Sequence, residues 1–256
     1  MRFCSLGSGS SGNSFVVQDN VTTLLIDCGF GLKETVTRLN RYGIKPGELN
    51  AILLTHEHED HIKGAFSFSN KYKVPIYLSH GTFTMCKKKI NDSYVINFNI
   101  INSFQSFMID DIEVTPIPVP HDAREPFQFK FNSKLKSIAI ITDLGFITKH
   151  LIKNLKEINA LVIEFNHDKN MLIESEYPQS LKDRVSGLYG HLENMESIKL
   201  LKSINYKSIK WIAAAHLSKK NNDEKLVRRL IADATYKEDE SIKIIDQVDG
   251  IDWLNI

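Results

Sequence analysis

Thr55-His56-Glu57-His58-Glu59-Asp60-His61 decides the reading of this 256-residue chain. Three histidines and three acidic side chains fall within six consecutive positions. They follow the apolar run Ala51-Ile52-Leu53-Leu54, which reads as a short buried strand. Imidazole and carboxylate are the ligands that first-row metals take in hydrolytic sites. The spacing H-x-H-x-D-H is compact. On a turn that leaves a strand and opens a helix, His56 and His58 point one way, and Asp60 and His61 the other. That arrangement suits two metal ions side by side. A solvated polar loop is the bland alternative, and it does not explain so dense a set of ligand types behind a buried strand.

Working outward, the same pattern recurs. Asp143 ends the apolar segment Ser137–Thr142 and precedes Leu144-Gly145; its two carboxylate oxygens suit it to bridge two cations. His167 follows the strand-like Ala160–Phe165, and His216 follows Lys210–Ala215. His121 follows Pro116-Ile117-Pro118-Val119-Pro120, where alternate prolines stiffen the chain and fix its direction. Asp27 ends Val21–Asp27 and precedes Cys28-Gly29; a carboxylate there can orient a neighbouring metal-site loop by hydrogen bonding. Ligand-type residues at strand ends gather on one edge of a layered α/β fold.

Helical patterns cover Lys33–Tyr42, His61–Tyr72, Gly81–Lys89, Ile147–Glu157, Tyr177–Val185, Leu192–Ile204 and Glu224–Thr235. Strand patterns cover Arg2–Ser5, Ser14–Gln18, Val74–Leu78, Tyr94–Ile101, Gln105–Ile109, Ile112–Val119, Phe127–Phe131, Ser241–Asp246 and Ile251–Leu254. Gly7-Ser8-Gly9-Ser10-Ser11-Gly12 matches G-x-G-x-x-G, but a strand-like Phe15-Val16-Val17 follows it instead of a helix, so it is no dinucleotide fingerprint. Its Ser10 and Ser11, with Asn13 and Ser14 beyond, are candidate phosphate donors, or parts of a tight hairpin loop. His80 and His150 read as surface or capping histidines.

Bulk properties set limits. Hydrophobic content of 42% and charged content of 25% are those of an ordinary globular protein. The net charge of +1 excludes a polycation, so any nucleic-acid contact needs local patches such as Lys87–Lys89, Lys130, Lys134, Lys136, Lys219, Lys220, Arg228 and Arg229. Cys4, Cys28 and Cys86 form no C-x-x-C pair, which fits a reducing cytoplasm. No apolar run approaches the length of a membrane span, and the N-terminus has no signal-peptide core.

These motifs together resemble the metallo-β-lactamase superfamily, and more specifically its YycJ/WalJ (VicX)-like group, which is related to the nuclease and phosphodiesterase branch. The likeness runs over nearly all of the chain. It is carried by MRFCSLGSGSSGNS at the start, LLIDCGF at Leu24–Phe30, LLTHEHEDHIKG, VPHDA at Val119–Ala123, ITDLG at Ile141–Gly145, EFNHDKNML at Glu164–Leu172, YGHLEN at Tyr189–Asn194 and HLSKKNN at His216–Asn222.

The resemblance implies an α/β fold, an αββα sandwich of two mixed sheets flanked by helices, forming one hydrolase domain over residues 1–256 without a lid insertion. It implies two divalent metal ions, Zn or Mn, with Fe also compatible. His56, His58 and His121 would hold one ion; Asp60, His61 and His216 the other; Asp143 would bridge. A metal-bridging hydroxide would attack, with Asp60 orienting it. His191 would stabilise the scissile phosphate or protonate the leaving oxygen, and His167 is a weaker candidate for the same surroundings. Asp27 would act behind the ligands. The implied substrate is nucleic acid, DNA cleaved exonucleolytically from the 5′ end, with no membrane and no obligatory protein partner. Competing readings are a small-molecule or cyclic-nucleotide phosphodiesterase, an RNA-processing nuclease, and a regulatory module that keeps metal for structure.

Overall fold

The computed structural model describes residues 1–256. Fourteen strands form two seven-stranded sheets. The first contains β1 (Arg2–Gly7), β2 (Ser14–Asp19), β3 (Thr22–Ile26), β4 (Ala51–Leu53), β5 (Ile76–Ser79) and β6 (Phe98–Ile101). The second contains β7 (Phe107–Ile109), β8 (Ile112–Pro118), β9 (Phe127–Ser133), β10 (Lys136–Ile141), β11 (Ala160–Glu164), β12 (Trp211–Ala215) and β13 (Ile242–Ile244). The last strand, β14 (Ile251–Asn255), returns to pair antiparallel with β1. Both sheets are mixed. Strands β3 to β6 are parallel, as are β10 to β13, whereas β1 to β3 and β7 to β10 are antiparallel.

The strands are apolar almost throughout because both faces of each sheet are covered. Along β10, Ile138 and Ile140 face the core between the sheets, with Phe129 and Phe131 of β9 and Leu24 and Ile26 of β3. Their neighbours Ala139 and Ile141 face the outer layer with Ile198 and Leu201 of α8 (Asn194–Ser203) and Val227 and Ile231 of α9 (Glu224–Thr235). On the first sheet Leu25 turns outward to Leu39 of α1 (Leu32–Arg41) and Phe68 of α3 (Ala65–Tyr72). Period-two alternation therefore sorts each strand between two dry layers, and the result is the expected αββα sandwich.

Several elements differ from the sequence reading. The helix expected over His61–Tyr72 is two: α2 (Glu59–Ile62) and α3. Gly64 donates its backbone N–H to Cys28 O at 2.8 Å, which takes it out of helix pairing. A Cβ there would lie 2.1 Å from Phe30 O, so only glycine permits the close approach. The strand expected from Tyr94 begins at Phe98, because Val95 N–H donates to the Asn70 side chain at 3.0 Å instead of to a ladder. A short helix over Lys169–Glu174 escaped the periodicity, being only six residues long; its signal was Asp168, whose carboxylate accepts from Asn170 N and Met171 N. No helix is long and apolar enough to cross a membrane.

Phe129 is fully buried between the sheets. Phe129→Ala is expected to destabilise the protein by about 3–5 kcal/mol in urea or guanidinium unfolding; a loss below about 1 kcal/mol would contradict the central packing described.

Candidate metal centre

The parallel arrangement brings strand ends together. Strands β3 and β4 end side by side in the first sheet, and β8, β10, β11 and β12 end on the same edge of the second. Asp27 follows β3, the His56–His61 loop follows β4, and His121 follows β8. Asp143 follows β10, and His216 follows β12. Asp27, Asp143 and His216 are all in the left-handed region, at φ 58°, 51° and 57°. Each such non-glycine residue costs of order 1–3 kcal/mol and persists only where its surroundings enforce it. Three of them on one edge mark that edge as built for its side chains.

Four overlapping groups of ligand-type atoms result: two match the expected sets, one joins Asp143 to His56 and His61, and one joins Asp143 and His216 to Glu164 and His191. His56, His58 and His121 converge: His56 Nε2 lies 3.0 Å and His121 Nε2 3.3 Å from His58 Nδ1. Asp60, His61 and His216 form the second group, with His61 Nε2 3.4 Å and His216 Nε2 3.7 Å from Asp60 Oδ2. Asp143 lies beside both. It groups with His56 and His61, and its Oδ2 is 3.4 Å from His61 Nε2. Asp143 Oδ2 and His216 Nε2 are buried and have no hydrogen-bond partner. Orphaned buried polar atoms are costly, and a divalent cation among these ligands satisfies both. The donor set of imidazoles and carboxylates fits such an ion.

Buried hydrogen bonds hold the ligands in place. His61 Nδ1 lies 2.7 Å from Asp27 Oδ2, and Thr55 N donates to Asp27 Oδ1 at 2.8 Å. His121 Nδ1 lies 3.2 Å from Gly190 O. These contacts assign the proton to Nδ1 and leave Nε2 free to ligate. Gly29 fixes α2 against this layer: a Cβ on it would fall 1.8 Å from Asp60 O. Glu57 is no part of any of these groups. Its carboxylate accepts from Arg124 N at 2.7 Å, tying this loop to the one that carries His121.

Glu164 is the residue that motif reading passed over. It is fully buried at the end of β11. Its Oε1 lies 2.8 Å from His191 Nδ1 and 3.0 Å from His216 Nδ1, while Oε2 accepts from Leu192 N at 3.0 Å. One carboxylate thus orients two imidazoles. A lone acid closing the apolar run Ala160–Ile163 was the available signal, the same pattern that exposed Asp27 and Asp143.

The two groups differ electrically. Burial, reinforced by the neighbouring His61, His121 and His58, pushes His56 well below the ordinary imidazole value. For His216 burial acts in the same direction, but Asp143, Asp60 and Glu164 overcome it and hold the ring up to about 10. The carboxylate-rich side therefore attracts positive charge, as protons or as metal.

The glycine-rich loop is corrected in part. Asn13 and Ser14 are buried with partners and do not offer donors to a substrate. Asn13 Nδ2 donates to Asp60 Oδ2 at 3.0 Å, and Ser14 Oγ to Asp27 O at 2.8 Å, so both position the ligand loops. Ser11 is exposed and Ser10 lines the cleft. His167 is buried, with burial lowering it to about 4, and lines a neighbouring cavity that meets the cleft at His191. Lys134 and Lys136 flank the β9–β10 turn at the opposite end of β10 from Asp143, so they do not border the cleft. The cleft, with a volume of about 450 Å³, is lined by His58, Asp60, Asp143, His191 and His216.

Fold and site together define a metallo-β-lactamase-type hydrolase. The description "Beta-lactamase superfamily domain" matches residues 22–212, and the chain belongs to that superfamily. It is 32% identical over 237 residues to "Exodeoxyribonuclease YycJ" of Bacillus anthracis, covering 91% of this chain and 88% of the relative. It is 31% identical over 230 residues to "Exodeoxyribonuclease WalJ" of Streptococcus pneumoniae serotype 2, covering 88% and 84%. Among solved structures, Zn(2+)-bound PqqB from Methylobacterium extorquens superposes with a TM-score of 0.79 at 16% identity, covering all of both chains. The metallo-β-lactamase fold protein YhfI from Bacillus subtilis gives 0.76 at 15% identity, covering 99% and 98%. These two bear on the fold alone; the superfamily match and the His/Asp clusters are what imply divalent metal ions.

Glu164→Gln is expected to weaken metal retention by 10- to 100-fold against a competing chelator, because His216 loses its orienting partner. His191→Ala is expected to leave retention unchanged. Equal loss in both variants would make His191, which also groups with Asp143, Glu164 and His216, a ligand itself.

Proposed function

We propose that this chain is a metal-dependent phosphodiester hydrolase acting as an exodeoxyribonuclease from the 5′ end. The observation that carries the reading is the junction of two ligand groups through Asp143, with the Glu164–His191 pair on the same cleft. The similarity to relatives named exodeoxyribonucleases over most of both chains supports a nucleic-acid substrate, and DNA in particular. We take residues 1–256 as one domain without a lid insertion, so the grip on the strand comes from the core itself.

In this reading His56, His58 and His121 would hold one divalent ion and Asp60, His61 and His216 the other, with Asp143 placed between the two groups. Zn and Mn suit the imidazole and carboxylate donors, and Fe is compatible. Such ions, when bound, supply Lewis-acid stabilisation of the phosphoryl oxygens and lower the pKa of water. Asp60 orients the attacking water by accepting its hydrogen bond, and its lowered carboxyl keeps it an acceptor throughout. Burial opposes the ionised form of Asp60, but His61 and His216 outweigh it and hold the carboxyl well below its usual range. Asn13 fixes its rotamer. His191 keeps its Nδ1 proton on Glu164 and presents Nε2 to the cleft, where it stabilises charge on the phosphate or protonates the leaving oxygen. Glu164 stabilises the imidazolium, as a buried carboxylate does behind a catalytic histidine.

His191→Ala is expected to lower kcat on 5′-labelled single-stranded DNA by about 10²–10⁴-fold while the fold is retained. Asp60→Ala is expected to abolish cleavage, and chelation of the wild-type protein to do the same until Zn or Mn is restored. Full activity in both variants, or turnover of small and cyclic diesters with no cleavage of DNA, would overturn this reading. A parallel RNA substrate separates DNA from RNA preference.

A further inference from the structure

We infer that the apolar side of the cleft seats the nucleobase next to the scissile phosphate, with Tyr177 as its stacking platform; this rests on the nuclease reading and adds where the base goes. The cleft has two chemistries. Its ligand residues come from strand ends and loops at the sandwich edge, and they are polar. Its apolar lining is Tyr177, Leu181, Val185 and Leu217, three of them within residues 177–185. Leu181 and Val185 are one helical turn apart on the helix Gln179–Val185, and Tyr177 lies two residues before it. All four are half-buried; Leu217 packs against the outer core, whereas Tyr177, Leu181 and Val185 belong to none of the core clusters. A metal and a phosphate have no use for this surface. A base has: its faces are apolar and π-rich, and stacking on an aromatic ring tolerates any sequence.

Lys220 supports the same occupant. Its ammonium lies 5.6 Å from the centre of the Tyr177 ring, within the reach of a cation–π contact. A cation beside an aromatic face at the cleft border meets both parts of a nucleotide, the base on the ring and a flanking phosphate on the ammonium. The chain as a whole carries a net charge of only +1. Local pairing of this kind gives a strand its hold without a basic surface.

The test compares wild type, Tyr177→Ala and Tyr177→Phe, all metal-loaded and full length, on 5′-labelled single-stranded DNA. Each is assayed with an ordinary 5′-terminal nucleotide and with an abasic residue in its place. Tyr177→Ala is expected to raise KM roughly tenfold with kcat largely kept, and Tyr177→Phe to match wild type. Wild type is expected to lose about the same factor on the abasic substrate, and Tyr177→Ala to be indifferent to the missing base. If Tyr177→Ala matches wild type, or discriminates against the abasic substrate as wild type does, the seat is wrong while the nuclease reading stands. If wild type cleaves neither substrate, the nuclease reading itself has failed, and the seat falls with it.

Discussion

Buried carboxylates beside buried imidazoles are the constraint on which this structure depends. Asp27, Asp143 and Glu164 are almost wholly shielded from water, and a charge so placed must be paired. Asp27 meets His61, Asp143 meets His61 and His216, and Glu164 meets His191 and His216. The pairs are interlocked. His61 and His216 are each shared by two of these buried carboxylates, and Asp60 is a third partner of both, so the strand ends are tied to one another through paired charges.

The scaffold makes such a cluster possible by enclosing it. Two sheets, each covered on its outer face by helices, put the ends of six strands close together over a dry core. The left-handed backbone at Asp27, Asp143 and His216 turns each chain away from its strand at once and leaves the side chain at the edge. That conformation is unfavourable for residues with a Cβ. It is held by hydrogen bonds across elements, such as Thr55 N–H to the Asp27 carboxylate and His216 N–H to Ser8 Oγ. Placement of the imidazoles and carboxylates at this edge thus comes from rigid strands, which hold positions better than loops alone.

Much of this was legible. Alternating and continuous apolar runs marked most strands, and the density of THEHEDH marked the site. Asp143, His121 and His216 were legible because each ligand-type residue interrupts or ends an apolar segment. Boundaries failed where tertiary contacts took over backbone donors, at Gly64 and at Val95. Asn13 and Ser14 were misread for a related reason. Their side chains suit a phosphate equally well, and only burial against Asp60 and Asp27 shows where their hydrogen bonds go.

By itself the sequence determined which residues can ligate, how the strands sort their faces, and which superfamily the motifs resemble, because these depend on residue type and local spacing. Tertiary structure decided what spacing cannot encode. It gathered the ligand-type residues into overlapping groups around Asp143, made Glu164 the shared partner of His191 and His216, and set Tyr177 on the same cleft as residues far along the chain. Those outcomes depend on the register of parallel strands from two sheets, and that register exists only once the core between them has closed.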